Sequence, residues 1–286
     1  MTAVDRVLVL GGSGFVGQEL LGHLGGTGTA SAPREGFRVV DATQSDRLRE
    51  FLEAERPEVV VNCVGLADVD RAEREPTVAD SLNRGVVENL VRAQRSVPFR
   101  LVHISTDYVF DGERGAYRES DPVHPVNEYG RSKLAGELSA LASSTALILR
   151  ISSPYGRGFG ARKTQFFRYV ADSLRAGKPV KALTDQRVTA TYLPDLARAI
   201  PTLLARRAQG VVHIGSDDPL TRFEFAQRIA HEVGADASLV RPGVRSDMTQ
   251  WVAVRPKDTT LDVGLSRSHG VRYTSVESAL REVLSA

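Results

Sequence analysis

The 286-residue chain carries one cysteine, one tryptophan and two methionines. A lone thiol, Cys63, can close no intrachain disulfide and build no cysteine-rich zinc site, which suits a reducing cytoplasm. An excess of one charge is also lacking: 37 Lys and Arg face 35 Asp and Glu, a net charge of +2. No concentrated basic run marks a nucleic-acid-binding face. No window approaches the roughly 18 apolar residues that a membrane span needs. The opening MTAVDRVLVL does not read as a signal peptide, because Asp5 sits in the would-be basic region and the short apolar run leads into a glycine loop. The histidines show no metal-ligand spacing and no HExxH, so no metal is expected. What is present is an ordinary globular balance, 42% hydrophobic and 25% charged, enough for one or two domains.

Short apolar runs alternate with helical patterns through the first half. Strands are predicted over 6–10, 37–40, 58–62, 100–104 and 146–151, and helices over 15–24, 45–55, 76–95 and 126–141. Strands without polar alternation are buried on both faces, as in a parallel sheet covered by helices. The βαβα order then predicts an α/β fold with a doubly wound parallel sheet. After Ile151 the rhythm shortens: helices are predicted over 165–176, 193–206, 222–233 and 276–284, a strand over 210–214, and an irregular stretch over 235–260. The expected organisation is a dinucleotide-binding domain over 1–151 and a smaller, interleaved substrate lobe over 152–286.

Between the first strand and first helix lies Gly11-Gly12-Ser13-Gly14-Phe15-Val16-Gly17. Gly11 permits the tight turn, Gly14 lets a pyrophosphate approach the backbone beside Ser13, Phe15 and Val16, and Gly17 allows close helix–strand packing. The helix N-terminus adds partial positive charge. The stretch 27–34 (TGTASAPR) carries Ser31 and Arg34 and no acid. A basic residue there accommodates the 2′-phosphate of NADPH, whereas an acid would favour NADH. NADPH is therefore expected, with NADH as the alternative. Asp41 faces the adenine edge or is a plain surface acid.

Tyr129 and Lys133 form Tyr-x-x-x-Lys, which shares one face of a helix. An ammonium beside a phenol favours the phenolate, so the Tyr129 pKa is expected to be lowered. A tyrosine of this kind can exchange a proton with a carbonyl oxygen while hydride reaches carbon. Ser105 and Thr106 end the strand over 100–104, where an open α/β sheet lines its ligand crevice. A hydroxyl there can hold the carbonyl against the phenol.

The strings STDYVFDG (105–112) and NEYGRSKLAGE (127–137) resemble the extended short-chain dehydrogenase/reductases. Within them the chain is similar to the dTDP-4-dehydrorhamnose reductase group, which reduces the keto group of a nucleoside-diphosphate 4-keto-6-deoxyhexose. The resemblance implies that Thr106, Tyr129 and Lys133 are the catalytic residues and that Asn62, Cys63, Val64 and Gly65 line the cofactor. Asp107, Tyr108, Ser152, Ser153 and Arg187 would face the substrate, a small-molecule nucleotide sugar. Arg157, Arg162 and Lys163 could meet its diphosphate, or be solvated. One departure stands out: Ser152-Ser153-Pro154-Tyr155-Gly156 occupies the place of the group's Ser-Trp-x-Tyr-Gly. An epimerase of the same superfamily, or a non-catalytic subunit resembling the regulatory subunit of methionine adenosyltransferase, remains open, as does a homodimer. Trp251 stacks on a substrate ring or fills the small lobe.

Overall fold

The computed structural model describes residues 6–157 and 165–285. The first half runs β1 (Val7–Leu10), α1 (Phe15–Leu24), β2 (Thr27–Ala30), β3 (Arg38–Val39), α2 (Ser45–Glu55), β4 (Val59–Asn62), α3 (Val69–Arg74), α4 (Pro76–Asp80), α5 (Val86–Ala93), β5 (Arg100–Thr106), α6 (Glu128–Leu141) and β6 (Leu147–Tyr155). The second half adds α7 (Phe166–Arg175), β7 (Val180–Leu183), β8 (Arg187–Val188), β9 (Ala190–Tyr192), α8 (Leu193–Ala205), β10 (Gly210–Ile214), β11 (Leu220–Thr221), α9 (Arg222–Glu232), β12 (Val240–Gly243), α10 (Gly264–Ser268) and α11 (Val276–Leu284).

The strand order is β3-β2-β1-β4-β5-β6-β10, with β9 also paired to β6. Every neighbouring pair along it is parallel, which is the doubly wound α/β arrangement. Alternate side chains of the fully buried strands feed two cores. Val7, Val9, Val59, Val61 and Val102 pack with Leu20 of α1 and Leu196 and Leu203 of α8. Leu8, Leu10, Val60, Leu101 and Ile148 pack with Leu48 of α2 and Val87 and Leu90 of α5. Each such aliphatic side chain contributes roughly 1.5–3 kcal/mol of burial. A third core joins α7, α9 and α11 around Tyr155, Phe167, Phe225 and Leu280. The chain enters this lobe after β6, returns to the sheet through α8 and β10, and leaves again. Among the described residues no helix is long and apolar enough to cross a membrane.

Three local readings need correction. The second strand is Thr27–Ala30, and 38–39 is a short outer strand. Its TGTA sequence has little apolar signal, but Thr29 accepts the Gly11 N–H and its carbonyl accepts the Ser13 N–H, so tertiary pairing holds it. The single helix expected over 76–95 is α4, a π-helical turn over Ser81–Gly85, and α5. The stretch over 235–260 contains β12, which pairs in parallel with β7, another strand that the apolar pattern misses.

Beneath the C-terminal ends of β5 and β6, Glu137 of α6 pairs with Arg150 at 2.7 Å, with side chains 1% and 4% exposed. Glu137 also accepts the Ser105 hydroxyl proton. Replacing Glu137 with leucine leaves a buried guanidinium without its carboxylate, and urea unfolding should show a loss of about 3–5 kcal/mol.

Candidate active site

Gly11 has φ +77°, and a Cβ on Gly17 would lie 2.3 Å from the Gly11 carbonyl oxygen, so both positions demand glycine. The turn delivers the chain to α1, whose first turn has no side-chain cap and no acid. Its leading N–H groups and dipole are left for an anion. Gly14, Phe15, Val16 and Gly17 form one end of a cleft of about 1140 Å³, together with Cys63, Val64 and Gly65 after β4. Asn62 is buried behind them, its amide oxygen accepting the Val64 N–H and its nitrogen meeting His103. Burial pushes the Cys63 thiol up to about 12, so it packs rather than reacts. Arg34 reaches from beyond β2 to donate to the Ser13 carbonyl at 3.0 Å and covers the Phe37 ring. Ser31 lies exposed at the end of β2. The Asp41 carboxylate accepts from the Thr43 backbone and hydroxyl and from Gln44, ahead of α2.

At the centre of the cleft, Thr106 ends β5 while Tyr129 and Lys133 descend one face of α6. Asn127 caps that helix by accepting the Gly130 N–H at 2.8 Å and ties it to the Val254 carbonyl. The Tyr129 ring meets Tyr108 edge-on at 5.7 Å. Lys133 is buried and donates to the Ile104 carbonyl at 2.6 Å. The expected lowering of the phenol by Lys133 is not what the geometry produces. Burial pushes Tyr129 well above the ordinary phenol range, opposed by a hydrogen bond with Thr106, and Lys133 does not figure among the influences. Lys133 itself falls to about 8, again through burial.

The substrate-side residues divide. Tyr108 and Ser153 line the cleft, and Gln186 donates to the Tyr108 hydroxyl. The Asp107 carboxylate, also at the wall, is already engaged: it accepts from Ser152 at 2.6 Å, from Thr106 at 3.1 Å and from Thr259. Asp107 lines the cleft while being held by these three hydroxyls, and Ser152 is fully buried behind it. Arg187 is half-exposed, pairs with Asp258 at 3.8 Å and lies outside the cleft lining. Arg157 bonds the Glu282 carbonyl on the surface. Arg162 and Lys163 fall outside the described residues. Trp251 lines the cleft, covered by the Arg255 guanidinium at 4.9 Å.

Sequence reasoning missed three contributors. Arg255 pairs with Asp70 at 2.9 Å, joining the segment after Trp251 to α3. Arg222, first residue of α9, lines the same wall. Asn83, inside the π-helical turn, accepts the Leu66 N–H at 2.8 Å and donates to the Ser132 hydroxyl at 2.9 Å. A buried side chain that satisfies both a loop and α6 is a positioning group, and the only local signal would have been an Asn on the buried face of a helix.

The fold and this site define a dinucleotide-dependent oxidoreductase architecture with an attached substrate lobe. The chain belongs to the RmlD substrate binding domain family, which it matches over residues 5–286. It is 37% identical to dTDP-4-dehydrorhamnose reductase of Mycobacterium tuberculosis, over 83% of this chain and 79% of that protein. It is 38% identical to the probable low-salt glycan biosynthesis reductase Agl14 of Haloferax volcanii, over 78% and 75%. The Bacillus anthracis dTDP-4-dehydrorhamnose reductase, solved in complex with NADP, superposes with a TM-score of 0.85 at 26% identity over 98% of each chain.

Replacing Asn83 with alanine strands the Leu66 N–H and removes the tie to the Ser132 hydroxyl, which keeps its bond to the Tyr129 carbonyl. Denaturant titration should register a loss of about 1–3 kcal/mol.

Proposed function

We propose that this chain reduces the keto group of a nucleoside-diphosphate 4-keto-6-deoxyhexose to an alcohol with NADPH. The observation that carries the reading is the convergence of Thr106, Tyr129 and Lys133 in one cleft with the uncapped start of α1. The named reductases among the relatives support it.

The residues fit a dinucleotide. The open N–H groups of α1 would hold its pyrophosphate, Gly14–Gly17 and Cys63–Gly65 its flanks, and Lys133 its nicotinamide ribose. Arg34, anchored on the Ser13 carbonyl, would meet its 2′-phosphate. When bound, the reduced nicotinamide supplies hydride to the carbonyl carbon.

The protein's own part is positional and protonic. On substrate binding the Thr106 hydroxyl would turn its one proton from Asp107 to the carbonyl oxygen and hold it toward Tyr129. The Tyr129 phenol passes its proton to that oxygen as the carbonyl becomes an alcohol. The buried Asp107 network fixes Thr106 from behind. The intact Thr106, Tyr129 and Lys133 set weighs against a purely regulatory subunit, although mouse methionine adenosyltransferase 2 subunit beta is 28% identical over 98% of this chain.

Tyr129→Phe should retain NADPH binding, read by fluorescence titration, and lose about 10²–10⁴-fold in turnover of a dTDP-4-keto-6-deoxyhexose, read by loss of NADPH absorbance. Unchanged turnover would point to another proton donor. Arg34→Ala should weaken NADPH more than NADH in the same titration, and an equal loss for both would remove Arg34 from the 2′-phosphate site.

A further inference from the structure

The wall of the cleft contains a cation held by a neutral hydroxyl and an aromatic ring. Arg222 donates to the Ser153 hydroxyl, and its guanidinium lies on the Phe166 ring at 4.7 Å. Its backbone N–H bonds the Gln186 carbonyl at 3.0 Å, which pins the start of α9 to this wall. Among the described residues it makes no ion pair. The nearest carboxylate acting on it is Asp107, whose oxygens already accept three hydroxyls. Arg255 adds like charge, and Arg255 has its own acid in Asp70. One hydrogen bond to a neutral hydroxyl leaves most of the guanidinium fork unused. Loss of solvent around Arg222 works against its charge, and a desolvated cation of this kind is stabilised only when an anion comes to it.

Position decides which anion. Gln186, whose carbonyl accepts the Arg222 N–H, donates through its side chain to the Tyr108 hydroxyl and to the Pro256 carbonyl. The Tyr108 ring touches that of the proton donor Tyr129, and Arg255, next to Pro256, covers Trp251. Arg222 thus belongs to the stretch of wall that joins Tyr108 to the Trp251 segment. In a nucleotide sugar the diphosphate lies between sugar and nucleoside. A planar fork of N–H donors matches phosphoryl oxygens better than a single sugar hydroxyl.

We propose that Arg222, presented by Ser153 and Phe166, is the residue that binds the diphosphate of the nucleotide-sugar substrate and sets its distance from Tyr129. This rests on the reductase reading and assigns a positioning residue within it. Ser153 is part of the device: its backbone has φ +42°, outside the usual range for a residue with a side chain, and its hydroxyl serves as the anchor for the guanidinium.

Trp251 is the chain's single tryptophan and lines the cleft, so its fluorescence reports occupancy. The experiment titrates wild type, Arg222→Gln and Arg222→Lys with dTDP and UDP, and in parallel with thymidine and uridine. The expected result is a loss of about 10- to 100-fold in diphosphate affinity for Arg222→Gln, with nucleoside affinity unchanged and part of the loss restored by lysine. Diphosphate affinity within twofold of wild type, or an equal loss for the nucleosides, overturns the assignment. Should Arg222→Gln fail to fold by circular dichroism, Ser153→Ala decides: a loss confined to the diphosphates supports the proposal, and none overturns it. The reductase reading fails separately, through absence of NADPH consumption by wild type with ketosugars.

Discussion

The site depends on one buried contact. Ser105 at the end of β5 donates a hydrogen bond to Glu137 of α6, and Glu137 is clamped by Arg150 of β6. Three elements that are distant in sequence are locked in register there. Each then contributes the next residue outward: Thr106 from β5, Lys133 and Tyr129 from α6, Ser152 and Ser153 from β6. A hydrophobic contact would tolerate small slips between these elements. A charged pair with fixed donor and acceptor directions does not, because every displacement leaves a desolvated charge. The cost of burying the pair is offset by geometry that the chemistry requires.

Above that pair, Asp107 repeats the logic with hydroxyls. Its carboxylate joins Thr106, Ser152 and Thr259, so β5, β6 and the C-terminal segment meet at one acid. Burial raises this acid and the hydroxyls oppose the rise. The same low-polarity surroundings push Tyr129 upward and bring Lys133 down to about 8. The Tyr-Lys spacing decides which helix face enters the cleft, whereas the direction in which each group's acidity moves follows from burial.

That distinction explains what could be read from the sequence. The glycine loop, Thr106 and the Tyr129–Lys133 pair are legible because each is a local pattern: a turn that excludes side chains, a strand end, a helical repeat. The strands Val7–Leu10 and Val59–Asn62 are legible because burial on both faces leaves no polar residue until Asn62. Thr27–Ala30 is not legible, since its strand character comes from pairing with β1 and β3. Asn83 is hidden for the same reason: its partners lie 17 and 49 residues away. The expectation for Arg187 failed by one position. In the strand–turn around it, Gln186 faces inward and Arg187 outward, and nothing in composition distinguishes the two directions.

The arginines show how little charge alone reveals. Arg34, Arg222 and Arg255 look alike in sequence as isolated loop or helix-start cations. In the structure each is held by a different partner set, and the partners define the use. Arg255 is neutralised by Asp70, and the same carboxylate accepts the Val252 and Ala253 N–H groups at 3.0 and 3.1 Å. That arrangement fastens the Trp251 segment across to α3, so the far wall of the cleft is tied to the nucleotide-binding half by one acid. Arg34 is anchored through a backbone carbonyl of the glycine loop and keeps its charge beside that loop. A cation with a carboxylate fastens two parts of the protein together, whereas a cation held only by neutral acceptors retains a field that acts on whatever enters the cleft. By that criterion the glycine loop and the Ser153 wall are each marked by a cation held through neutral oxygens, and the clasp between the Trp251 segment and α3 by a paired one.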